Sequence, residues 1–166
     1  VHCDLSRQTA ETAAAHIEET VGYPCVVKPC SCGSSVGVSM AEDREELMQA
    51  LTLAMQYEGD IIAERRIQGR EVTVSVLGGR VLPAVEIVPH EGFYDYANKY
   101  QAGAVEELCP ARIALAEASA LADAARRGFD VLRLGGYARF DFILDKTGTA
   151  WCLEANALPG MTPTSL

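Results

Sequence analysis

Asp141, Glu154 and Asn156 have the residue types and the spacing to hold a divalent cation. Asp141 lies in an alternating run over 137–144. Glu154 and Asn156, two apart, point to one side of the run that follows. The turn Asp145-Lys146-Thr147-Gly148 joins the runs, so a hairpin brings Asp141 alongside the other two. Carboxylates and an amide oxygen are hard donors that suit Mg²⁺, which completes its shell with water and substrate phosphates. A capping or turn-stabilising role for these side chains stays open on the residues alone. Arg139, two residues before Asp141, falls on the same strand face. A guanidinium there meets anionic oxygen where charge develops in a transition state; an ion pair with Glu154 is the plainer role.

A second group runs from Lys28 through Pro29-Cys30-Ser31-Cys32-Gly33-Ser34-Ser35-Val36-Gly37. A lysine at a strand end reaches phosphate as a point charge. Glycines let the backbone approach closely, and successive N–H groups with two hydroxyls can hold phosphate oxygens. No Gly-Lys-Ser/Thr follows, so this is not a Walker loop, and a plain turn stays open. After the next strand comes Glu64-Arg65-Arg66-Ile67, where backbone and an apolar side chain can pair with a nucleobase; a solvated charge cluster is the plainer account. The run Phe93-Tyr94-Asp95-Tyr96-Ala97-Asn98-Lys99-Tyr100 offers Lys99 to close over phosphate and Tyr100 to position a small substrate, or else packs its loop down.

The formal charge of −9 over 166 residues argues against a nucleic-acid surface as the main role. An acidic chain that handles anions must concentrate positive charge locally or recruit metal ions. With 49% apolar and 22% charged residues the composition is that of a soluble globular protein and excludes disorder. No stretch is long enough to span a bilayer and the start does not read as a signal peptide, so no membrane role is expected. Cys3, Cys25, Cys30, Cys32, Cys109 and Cys152 form no CxxC pair. They read as reduced thiols of a cytoplasmic protein.

The elements that must position these groups form a mixed α/β chain with hairpins, not a regular βαβ alternation. Helices are expected over Thr9–Thr20, from Asp43 (with Glu46 as a capping box) to about Tyr57, and over Ala111–Gly128. Strands are expected at Cys25–Val27 with Lys28 at the end, at Asp60–Glu64 and at Glu71–Leu77, with Val72, Val74 and Val76 on one face. Gly78-Gly79 predicts a hairpin returning over Arg80–Val88. Tyr137–Leu144 and Ala150–Ala155 complete the set. The segment Pro89–Pro110 shows no periodicity and reads as a lid or binding loop. A break near Gly69 separates two lobes, 1–68 and 69–166, with a ligand cleft expected between them.

In order along the chain, VVKPCSCGSSVGVS, AERRIQGREVTVSVLGG, LPAVEI, FYDYANKY, RFDFILD and LEANALPGMTPTSL resemble the pattern of D-alanine–D-alanine ligases, from about Tyr23 to Leu166. The combination of FYDYxxKY with EANxxPGMTxxS is specific to that family among ATP-grasp enzymes. The resemblance implies an α/β (α+β) ATP-grasp fold of two lobes, each with a mixed or antiparallel sheet and helices. It implies 1–68 as part of the central lobe, 69–166 as part of the C-terminal catalytic lobe, and the family's N-terminal domain as absent. It also implies a cytoplasmic ligase that uses ATP and two Mg²⁺ ions, with Mn²⁺ able to replace them. The enzyme would join two D-alanines through an acyl phosphate for peptidoglycan and cell-wall synthesis, as a homodimer in the full-length parent.

By motif position, Lys28 resembles the lysine on the ATP phosphates and Lys99 the lid lysine. Glu64, Arg65 (where lysine is common) and Ile67 resemble the adenine-binding strand end, and Glu71 the ribose holder. Asp141, Glu154 and Asn156 resemble the magnesium ligands. Arg139 and the Gly160 N–H resemble the oxyanion stabilisers. Ser165 and Leu166 resemble the binders of the second D-alanine. Ser34 and Tyr100 resemble two members of a lid-closing group whose third, a glutamate, lies in the N-terminal domain. Tyr100 favours an amine as second substrate, against D-lactate. The pattern leaves open a ligase that takes D-lactate or D-serine as second substrate, and a non-catalytic nucleotide-binding module. Val1 is not a methionine and Leu166 follows directly on the final motif, so a piece truncated at both ends, with weak or no activity of its own, is expected.

Overall fold

The computed structural model describes residues 1–33, 35–89 and 105–161. The elements are β1 (His2–Asp4), α1 (Ala10–Thr20), β2 (Cys25–Pro29), β3 (Ser39–Ala41), α2 (Arg44–Ala54), β4 (Asp60–Arg65), β5 (Gly69–Leu77), β6 (Arg80–Val81), β7 (Val85–Pro89), β8 (Val105–Leu108), α3 (Leu115–Val131), β9 (Tyr137–Asp145) and β10 (Ala150–Asn156). They fall into two units, Val1–Arg66 and Ile67–Leu166. No helix among the described residues is long and apolar enough to cross a membrane.

In the first unit, four antiparallel strands lie in the order β1-β4-β2-β3. Each helix starts where a side chain accepts an orphan N–H. Thr9 takes that of Thr12 at 3.3 Å, and Asp43 takes that of Glu46 at 2.9 Å. Glu46 reaches back to the N–H of Glu42 at 2.7 Å, one residue further out than the capping box expected with Asp43. Ile17 of α1 and Leu47 and Leu51 of α2 are fully buried in one cluster with Cys25, Val27, Ile61 and Ala63. Each such aliphatic side chain contributes roughly 1.5–3 kcal/mol of burial. Strand alternation therefore sends Val26, Lys28, Ile62 and Glu64 to the sheet face away from this cluster.

In the second unit the order is β10-β9-β5-β7-β8, with β6 beside β5, and every pairing is antiparallel. Val72, Val74 and Val76 of β5 do share one face, as their alternation requires. They pack with Ala138, Phe140, Phe142 and Leu144 of β9 against Leu121, Ala125 and Phe129 of α3. Gly128 is inside α3 rather than at its end, and a Cβ there would sit 2.6 Å from a Phe140 ring carbon. Helix and sheet meet at this hydrogen-only position.

Several expected boundaries move. The single return strand Arg80–Val88 is broken at Leu82-Pro83-Ala84. β6 pairs only Val81 with Val76 and Arg80 with Leu77, and β7 then pairs with Glu71–Thr73. Pro83 has no N–H to give a ladder. Part of the segment expected to be loop forms β8, an edge strand on β7. α3 starts at Leu115, not Ala111, and runs past Gly128 to Val131. Lys28 is inside β2, with Pro29 as its last residue. The three-residue strands β1 and β3 add to the expected set.

Candidate functional site

The sheet face of the second unit that turns away from α3 carries the polar residues. Register places Ser75 opposite Arg139, Thr73 opposite Asp141 and Glu71 opposite Ile143, and β7 adds Ile87 opposite Glu71. Paired residues project to the same side of a sheet, so β5 and β9 present Glu71, Thr73, Ser75, Arg139 and Asp141 together.

β10 joins them through a bulge. Ala150, Trp151 and Cys152 pair with Leu144, Ile143 and Phe142; beyond the register shift, Glu154 pairs with Asp141 and Asn156 with Arg139. Leu153 is the extra residue. Had the first register continued, Glu154 would lie opposite Phe140, on the face packed against α3. A shift of one residue moves every later side chain to the other face. The bulge therefore puts Glu154 and Asn156 beside Asp141. The strands themselves are closed by Asp145, whose carboxylate accepts the Thr147 hydroxyl at 2.6 Å and the Trp151 indole N–H at 2.8 Å. These bonds push the Asp145 carboxyl down to about 2.

At the centre, Arg139 Nε and Nη2 donate to Asp141 Oδ1 and Oδ2, each at 2.9 Å. Thr73 Oγ1 donates to Asp141 Oδ1 at 2.7 Å. Asn156 Nδ2 donates to Asp141 Oδ2 at 3.0 Å and to Glu154 Oε1 at 2.9 Å. The ion pair is well shielded, with 11% of the Arg139 side chain and 20% of the Asp141 side chain exposed. Burial pushes the Asp141 carboxyl up, but the hydrogen bonds and charge of Arg139, with the Thr73 hydroxyl, outweigh it and hold the group below its ordinary value. Among the described residues the arginine's ion pair is with Asp141, and the pair with Glu154 considered from sequence is not formed.

These residues fit a hard divalent cation. Among the described residues no group of three or more His, Cys, Asp or Glu side chains is set to hold a metal. A cation here would rest on the Asp141 and Glu154 carboxylates, the Asn156 amide and oxygens brought by a ligand or water, which is the Mg²⁺ pattern. Asn156 already bridges both carboxylates, and rotation of its amide exchanges nitrogen for the oxygen a cation needs.

In the first unit, Lys28 Nζ lies 2.6 Å from Glu64 Oε2 on the face away from the helices. Arg65 projects to the opposite side from Glu64 and is exposed, while Arg66 pairs with Glu42 at 2.6 Å. Ile67 is half-buried at the start of the second unit. In the Gly/Ser loop, both the N–H and the hydroxyl of Ser31 bond the Glu58 carboxylate. Gly37, at φ +73°, leaves no room for a Cβ, which would meet Pro29 Cγ and Tyr57 Cδ2 at 2.8 Å. Gly160 is exposed in the chain beyond β10. Ser34, Lys99, Tyr100, Ser165 and Leu166 lie outside the described residues. Thr73 escaped the sequence reading; the polar alternation Glu71, Thr73, Ser75 between valines was its signal, but pairing with Asp141 depends on register.

A family model described as D-ala D-ala ligase C-terminus matches residues 2–166. A D-alanine–D-alanine ligase from an Anaeromyxobacter species (strain Fw109-5) is 51% identical over 148 residues, which cover 87% of this chain and 47% of that protein. The crystal structure of the VanG D-Ala:D-Ser ligase from Enterococcus faecalis is 33% identical with a TM-score of 0.81, covering 94% of this chain and 46% of that one. The D-alanine–D-alanine ligase from Bacillus anthracis is 30% identical with a TM-score of 0.83, covering 100% and 53%. Its complex with ATP aligns over 89% and 46%, at 28% identity and a TM-score of 0.75. The chain spans about half the length of the curated relatives it matches.

Proposed function

This chain belongs to the D-ala D-ala ligase C-terminus family, and on that premise we propose that it is the ATP-binding and catalytic part of a D-alanine–D-alanine ligase. Its fold is ATP-grasp. In the proposed reaction the carboxylate of one D-alanine takes the γ-phosphoryl group of ATP, giving an acyl phosphate and ADP. The amine of a second D-alanine adds to the acyl carbon, and the tetrahedral intermediate expels phosphate to leave the dipeptide. The product would serve peptidoglycan synthesis in the cytoplasm, and the full-length protein would act as a homodimer.

The observation that carries this reading is the convergence of Asp141, Glu154 and Asn156 around one point beside Arg139. Those three residues would hold Mg²⁺, which when bound neutralises the phosphate charge that an acidic chain would otherwise repel. Arg139 would turn from Asp141 to the anionic oxygens of the acyl phosphate and tetrahedral species, and the Gly160 N–H would donate there. Lys28 and Lys99 would bind ATP phosphates; Glu64, Arg65 and Ile67 the adenine; Glu71 the ribose. Ser165 and Leu166 would bind the second D-alanine, with Ser34 and Tyr100 closing the lid.

The test is D-alanine-dependent ADP release by the full-length protein, with Asp141→Asn and Glu154→Gln beside it. Turnover in the parent and its loss in both variants is the expected result; a variant close to the parent rate would refute the metal assignment. The VanG neighbour supports a second reading, D-serine as second substrate. Product analysis with D-alanine, D-serine and D-lactate offered together separates these. ATP binding without ADP release would mark a non-catalytic module.

A further inference from the structure

We propose that Thr73 is a positioning residue that fixes which oxygen of Asp141 faces the cation; the inference rests on the metal site of the proposed function. Thr73 is only 3% exposed, and its hydroxyl lies 2.7 Å from Asp141 Oδ1 and 3.3 Å from the Phe140 carbonyl oxygen. One hydroxyl has one proton, and the shorter contact goes to the carboxylate.

The two oxygens of Asp141 have different neighbours. Oδ1 receives Thr73 and Arg139 Nε, whereas Oδ2 receives Arg139 Nη2 and the Asn156 amide, which itself reaches Glu154. Among the described hydrogen bonds, Oδ2 shares a neighbour with Glu154, the Asn156 amide, and Oδ1 does not. When Arg139 swings to an anionic substrate, Oδ1 keeps the Thr73 proton and Oδ2 is left on the Asn156–Glu154 side. Without that hydroxyl, nothing else on β5 donates to Asp141 among the described hydrogen bonds, and the carboxylate loses the anchor that sets its rotation. Groups that orient a ligating carboxylate tune affinity without touching the metal.

Thr73→Val keeps shape and removes the donor; Thr73→Ser keeps the donor. In the full-length protein, Mn²⁺ binding is measured by electron paramagnetic resonance with a non-hydrolysable ATP analogue, and kcat and KM for ATP are measured alongside. The valine variant is expected to bind Mn²⁺ about 10- to 100-fold more weakly. It should lose kcat more than it raises KM, and the serine variant should restore both. Should valine not fold, the Thr73→Ser and Thr73→Ala pair isolates the hydroxyl in the same way. Parent-like Mn²⁺ binding in the donor-less variant, or equal loss in the serine variant, overturns the inference. Asp141→Asn separates the two levels. If it leaves Mn²⁺ binding intact, the metal site itself is wrong; if it abolishes binding while Thr73→Val does not, only the role of Thr73 falls.

Discussion

Replacing Arg139 by methionine keeps most of the side-chain volume and removes the charge that compensates Asp141. Breaking a buried ion pair from one side costs about 3–5 kcal/mol. Here Asp141 would retain the Thr73 and Asn156 hydrogen bonds and is 20% exposed, which softens the loss. We expect roughly 2–3 kcal/mol at neutral pH. The sign with pH follows from the carboxyl group. In the parent its folded value is depressed, so the stability it contributes is present above its unfolded value and lost as pH falls through the folded one. In the variant, burial without the arginine raises the folded value, so the penalty exists only while the group is ionised and disappears as it protonates. The difference between the proteins must therefore be largest near pH 7 and shrink through about pH 4.

Trp151, the chain's single tryptophan, is on β10 and reports on this sheet, so urea unfolding followed by its fluorescence is a suitable assay. With a slope of about 2 kcal/mol per M, the midpoint should drop by roughly 1 M at pH 7. The double variant Arg139→Met with Asp141→Asn should regain most of that loss. A drop that is negligible at pH 7, or the same size at both pH values, would refute the argument.

The bulge makes an asymmetric prediction for deletions in the full-length enzyme. Removing Leu153 leaves Glu154 opposite Asp141 and should keep ADP release within about tenfold. Removing Ala155 sends Asn156 to the face of Phe140 and should lower release by roughly 10²-fold or more, comparable to losing a ligand or its orientation. Equal effects of the two deletions would contradict the register. Gly69→Ala would drive a Cβ into the Leu144 carbonyl oxygen. It should destabilise the second unit by about 1–3 kcal/mol in the same fluorescence assay, the usual cost of forced overpacking; an unchanged midpoint would count against the close approach of β5 and β9.

Legibility in the sequence tracked how local each signal was. Thr9 and Asp43 announce their helices because a cap needs only its own next turn. Gly78-Gly79 announces its hairpin for the same reason. The start of α3 is hidden: its N-cap, Ala114, has no polar side chain, and Glu117 alone reaches back to the Ala114 N–H at 2.8 Å. β1, β3 and β8 are edge strands, too short or too acidic to show alternation, and exist through pairing with distant partners. Asp141, Glu154 and Asn156 were legible as donors on facing strands, yet their alignment depends on Leu153, which no pattern in residues 150–156 marks. Thr73 and the Arg139–Asp141 pairing emerge only from register, a property of two strands at once. The hold of Glu58 on Ser31 is hidden as well, because Glu58 is far along the chain.

The extra residue at 153 divides β10 into two stretches that answer to different neighbours. Up to Cys152 the strand is in phase with Phe142 and the helix-backed layer; from Glu154 onward it is in phase with the polar layer. A substitution acceptable at one even-numbered position thus says nothing about the next. Chemistry and packing can vary separately along a strand of seven residues, because a single unpaired backbone unit insulates one from the other.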